Sequence, residues 1–136
     1  MPAINSEESV SSTSLSRIQL LRNDLGRLLK NGTESDVTFE VENREIKAYK
    51  NILKARSSYF NNLSEANMEE TRTGYVKIPD FKYDIVQEMF RYINIAKVPQ
   101  LLDFATDLLK AADKYQLDEL KVICERNSVH VKTVHR

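Results

Sequence analysis

A single cysteine, Cys124, serves all 136 residues, so no intramolecular disulfide can staple the fold. A lone thiol suits a reducing compartment, and nucleus or cytoplasm is the expected location. Glycine is scarce too: Gly26, Gly32 and Gly74 stand apart from one another. A phosphate-cradling loop needs several glycines close together, so that kind of nucleotide site is excluded. The two histidines, His130 and His135, both fall in the closing stretch "HVKTVHR". With Cys124 they offer three loosely spaced donors, whereas a structural zinc site takes four in tight geometry. No metal and no cofactor is expected. Nucleophilic catalysis needs a base beside its nucleophile, and no histidine precedes that final stretch. Catalysis is not expected.

Net charge is missing as well, with 20 basic residues against 20 acidic ones. Such a balance builds no one-signed field to draw the chain onto nucleic acid or an anionic membrane. No apolar run approaches the roughly 20 residues that span a bilayer. The opening "MPAINSEESVSSTSLS" lacks the basic start and apolar centre of a secretory signal. Residues 1–16, rich in Ser, Thr and Glu, have little to bury and read as a disordered lead.

What the sequence does have is alternating periodicity. In "SRIQLLRNDLGRLLKNG", Ile18, Leu21, Leu25 and Leu28 recur at helical spacing, with Leu29 widening the stripe. Gly32 follows, where a helix end favours a left-handed residue. Gly26 inside the helix costs about 1 kcal/mol against alanine, so packing must tolerate it. In "SDVTFEVENREIKAYK" the period drops to two: Val37, Phe39 and Val41 alternate with polar residues, and Ile46 and Ala48 resume the pattern. That predicts a hairpin turning at Asn43 and Arg44, although the turn lacks the usual glycine. "KNILKARSSYFNNLSEA" returns to helical spacing through Ile52, Leu53, Arg56, Phe60 and Leu63. "GYVKIPD" is a short strand stopped by Pro79. "KYDIVQEMFRYINIA" buries Ile85, Val86, Met89, Phe90 and Ile93, and Pro99 breaks the chain after it. Two more helices follow. One carries Leu101, Leu102, Ala105, Leu108, Leu109 and Ala112; the last, "LDELKVICERN", carries Leu117, Leu120 and Ile123.

The predicted order is helix, two strands, helix, strand and three helices. Three short strands cannot make a doubly wound parallel sheet, so the class is α+β, a small three-stranded sheet flanked by helices. Residues 17–127 form the expected domain and 128–136 a tail.

From Leu21 to about Asn127 the sequence resembles a BTB/POZ domain, and looks closest to the speckle-type POZ proteins that adapt substrates to cullin-3 ubiquitin ligases. The resemblance rests on "SDVTFEV", "IKAYKNILKARSSYF", "MEETRTGYVKIPD" and "DLLKAADKYQLDELKVICE", in unbroken order. It implies a homodimer, or a heterodimer with related BTB proteins, through Leu21, Leu25, Leu28 and Ile52. By periodicity alone that stripe would face an intramolecular core. Burying four such side chains contributes roughly 6–12 kcal/mol per protomer, at about 1.5–3 each, against about 4–15 kcal/mol lost on association. The resemblance also implies a structural charge pair between Asp36 and Lys50, partly buried near the dimer seam.

The same resemblance assigns Met68-Glu69-Glu70 to cullin docking. Met68 would enter a pocket on the N-terminal helices of cullin-3, and Glu70 would hold the loop in shape; a flexible thioether adapts to irregular pockets. The chain departs from the family pattern at four places. Tyr49 stands where histidine is usual, changing the hydrogen bond available to Asp36. Asn94-Ile95-Ala96 replaces an aromatic-Thr-Gly step, removing an aromatic and a permissive glycine. The closing "SVHVKTVHR" does not resemble the start of the helical extension of full-length adaptors, and the opening residues do not supply a substrate-recognition domain. The expected function is a minimal cullin-3 adaptor or a BTB-only competitor. The alternative is a dimerisation scaffold without cullin affinity, as in transcriptional regulation.

Overall fold

A computed structural model describes residues 14–63 and 74–134, with side chains as far as Asn127. Helix α1 (Leu15–Asn31) opens the fold. Leu15 and Ser16, expected in the disordered lead, already belong to it; residues 1–13 lie outside the described region. Gly32 ends α1 at φ 67°, and its N–H donates to the Leu28 carbonyl at 2.8 Å. A Cβ on Gly32 would stand 2.9 Å from Lys47 Cγ, so both conformation and space call for glycine. A Cβ on Gly26 would meet only Ile95 Cδ1, at 4.0 Å. That glycine is tolerated where α1 lies over the helix carrying Ile95; packing does not require it.

Strands β1 (Val37–Val41) and β2 (Arg44–Ala48) pair antiparallel, with Phe39 opposite Ile46 and Val37 opposite Ala48. The turn is Glu42-Asn43, one residue earlier than the sequence predicts. Both residues have positive φ, 53° and 64°, the backbone of a tight hairpin turn whose twist matches its strands. Contacts with the next layer hold it there. Glu42 accepts the Tyr83 N–H at 2.8 Å, and the Arg44 guanidinium lies 3.6 Å from the Tyr83 ring centroid. Strand β3 (Tyr75–Lys77) joins the other side of β1 in parallel, making the order β2-β1-β3.

The helix predicted after the hairpin is two helices, α2 (Lys50–Arg56) and α3 (Ser58–Asn62). Ser57 separates them in extended conformation. Its buried hydroxyl donates to the Tyr115 carbonyl at 2.7 Å and accepts the Phe60 N–H at 3.3 Å. A serine hydroxyl that caps the next turn competes with helix continuation. Helices α4 (Tyr83–Ile95), α5 (Leu101–Lys114) and α6 (Asp118–Val134) complete the domain. The last runs beyond Asn127, so the backbone of most of the expected tail is helical.

The core lies between the sheet and α4–α6. Phe39 meets Phe90 edge to face at 4.8 Å, and Val41, Val86, Met89, Leu108, Leu120 and Cys124 are sealed around them. Leu102 is a correction: it is 77% exposed, outside the stripe it was assigned to. Glu88 is buried in this apolar setting, yet both of its oxygens are satisfied. One accepts from Arg91 at 2.7 Å and the other from the Gln100 N–H at 2.6 Å, fastening the start of α5 to α4.

Candidate functional site: the groove beside helix α1

No residue of α1 is buried. Ile18 is 43% exposed and Leu21 57%. An amphipathic helix normally hides its stripe; here the stripe forms one wall of an open groove of about 500 Å³. Leu21 and Leu25 stand on that wall, with Ile52 of α2 and Ile93 and Ile95 of α4 among the facing residues. Three of the four residues assigned to a dimer interface therefore share one surface. Leu28 is not among those lining the groove. It is half-buried near the end of α1, and its carbonyl lies 2.8 Å from the Tyr49 hydroxyl as well as receiving Gly32.

Ile93, Ile95 and Arg56 complete the groove, and sequence reasoning did not assign them to it. Ile93 was visible only as a core position of α4, and nothing in periodicity says that its helix end meets α1. The Arg56 guanidinium donates to the Ile93 carbonyl at 3.0 Å and the Tyr92 carbonyl at 3.4 Å, satisfying the exposed end of α4.

The described residues that line the groove are mostly apolar, and no Ser, Cys, His, Asp or Glu is among them. Among the described residues no cluster of His, Cys, Asp and Glu is arranged to hold a metal, and no helix is long and apolar enough to cross a membrane. Burial pushes the Cys124 thiol up to about 11, leaving it protonated and unreactive at neutral pH.

The BTB/POZ domain family model matches residues 25–131. The chain belongs to the BTB/POZ domain family. It also resembles a solved structure, the BTB domain of zebrafish PATZ1, at 20% identity with a TM-score of 0.66, over 83% of this chain and 91% of that one. At that identity the likeness shows the fold alone. BTB domains are protein-interaction modules that dimerise.

Within this BTB domain, Asp36 and Lys50 do meet, but not as an ion pair. Asp36 is exposed and accepts the backbone N–H of Lys50 at 2.8 Å; among the described residues their side-chain charges form no salt bridge. The aspartate acts as a remote cap on α2, whose own cap residue, Tyr49, supplies no side-chain bond. Tyr49, in place of the family histidine, turns away from this contact. Its hydroxyl stands between the carbonyls of Leu28 and Thr33, at 2.8 and 2.9 Å, tying the end of α1 to the loop that follows. Its pKa is raised, first by burial and then by the Asp36 charge.

The departure at Asn94-Ile95-Ala96 has a visible consequence. Ala96 caps α4 at φ 58°, in the left-handed region where the family's glycine would sit without strain. The Asn94 amide donates back to the Phe90 carbonyl at 2.9 Å, and all three residues line the groove. Met68, Glu69 and Glu70 lie outside the described residues.

Proposed function

We propose that this chain is a BTB dimerisation module, homodimeric or paired with related BTB proteins, that serves as a cullin-3 adaptor or as a competitor of other adaptors in ubiquitin-dependent degradation. The observation that carries the dimer is the α1 stripe, apolar, open and continuous with Ile52 and Ile93. The cullin role rests on Met68-Glu69-Glu70, which matches the docking pattern of cullin-binding relatives in register. Nucleus and cytoplasm are the compartments in which such an adaptor would work.

Light scattering with and without a cullin-3 N-terminal domain tests both halves. The expected result is a dimer mass that rises on adding the cullin domain. Placing charge in the groove with Leu21→Asp and Leu25→Asp should leave a folded monomer, because neither side chain is needed by the core. A folded double variant of unchanged dimer mass sinks the α1 interface. Cullin binding that survives Met68→Asp removes that residue from the docking role.

A second reading is favoured by Asn94. Where the family offers an aromatic, this side chain is committed to the Phe90 carbonyl. On that reading the chain dimerises as a scaffold and does not bind cullin, and the same measurement would give a dimer indifferent to the cullin domain.

A further inference from the structure

The groove beside α1 is apolar, and the charged residues lining it have one sign. Among the described residues they are Arg22 and Arg56, and none is a carboxylate. Among the described residues neither arginine forms an ion pair. Arg56 donates to the Ile93 and Tyr92 carbonyls and lies over the Tyr92 ring, 5.1 Å from its centroid, while the Glu119 carboxylate accepts from the Tyr92 hydroxyl at 2.6 Å. Helix α1 has four cations, Arg17, Arg22, Arg27 and Lys30, against one acid, Asp24. That acid is bound to Arg27 at 2.6 Å, a pair well exposed to solvent and not among the groove-lining residues.

A two-fold contact presents the same patch from both sides. Two copies meeting through this groove pool four arginines, Arg22 and Arg56 of each, in one largely apolar seam. Like charges brought together there weaken association, and an unpaired charge taken from water weakens it further.

We infer that this groove fits a protomer unlike itself, a BTB helix with the same apolar spacing that carries a carboxylate where Arg22 stands. The inference rests on the dimer reading and refines its partner. The apolar stripe supplies attraction to any such helix, and Arg22 chooses among them.

The chain itself supplies the probe. A labelled wild-type protomer is titrated with unlabelled wild type or with Arg22→Glu, and dissociation constants are read at low and high salt. The Arg22→Glu copy should bind the wild-type copy about fivefold or more tightly than wild type binds itself, with the gain shrinking as salt rises. The new carboxylate lowers the positive charge pooled in the seam, which Arg22 and Arg56 of the wild-type copy supply. Equal or weaker binding of a folded Arg22→Glu copy overturns the inference. As a second variant, Arg22→Gln removes the repulsion without adding an attraction, and should self-associate several-fold more tightly than wild type; looser self-association also overturns it. If neither wild type nor either variant associates at any concentration, the dimer reading itself has failed. A wild type that stays monomeric yet captures Arg22→Glu supports the inference in its strongest form.

Discussion

Asp36 reaches across 14 positions of sequence to accept the first N–H of helix α2, that of Lys50, at 2.8 Å. An aspartate and a lysine so placed invite the description of a charge pair, yet the ammonium is not involved. Removing the carboxylate with Asp36→Ala should cost about 0.5–2 kcal/mol, the range for losing a helix cap. Lys50→Ala should stay within about 0.5 kcal/mol, as for an ordinary surface change. Chemical denaturation of both variants checks this. Equal losses would restore the ion pair.

Ser57 carries more than its size suggests. Its hydroxyl joins α2 and α3 to the end of α5 through Tyr115 and starts α3 by accepting the Phe60 N–H. Ser57→Ala leaves the Tyr115 carbonyl without that donor in a buried setting and should destabilise by about 1–3 kcal/mol. Ser58→Ala, one residue away and exposed, is the matched control, and the two thermal melts should separate clearly.

Ala96 holds a left-handed conformation that glycine adopts freely. Ala96→Gly should stabilise the fold by about 0.5–1 kcal/mol, the relief of strain outweighing the greater freedom glycine gives the unfolded chain. A lowered melting temperature would mean that the Ala96 methyl group packs usefully in the groove.

Tyr92 is pushed up to about 12 by burial, then by its hydrogen bond to Glu119 and the charge of that carboxylate, partly offset by Arg56. The folded state thus holds the phenolic proton more tightly than the unfolded chain does. Its contribution to stability is complete below pH 10 and is lost as pH rises from 10 to 12. Denaturant midpoints across that window should fall less steeply for Tyr92→Phe than for wild type. Parallel slopes would show that other tyrosines carry the alkaline transition.

Much of the fold was legible in the residues. The α1 stripe, the alternation of β1 and β2, the left-handed stop at Gly32 and the apolar faces of α4 to α6 all follow from periods of 3.6 and 2. The hairpin turn was missed by one residue because Tyr83, 40 positions downstream of Asn43, helps set it through contacts with Glu42 and Arg44. The break at Ser57 was missed because the helical spacing on either side runs smoothly through it. Its cause is the Tyr115 carbonyl, far along the chain.

The groove shows the same division. Leu21, Leu25 and Ile52 could be picked out by spacing and resemblance, but Leu28 shares that spacing and does not line the groove. Ile93, Ile95 and Arg56 join it only because α1 crosses the end of α4. The sequence alone determined which segments are helix or strand and which faces are apolar, since those depend on neighbours within a turn or two. Tertiary structure alone decided which apolar face stays open, where charges find partners and how helices end, because each of those requires two distant segments to meet.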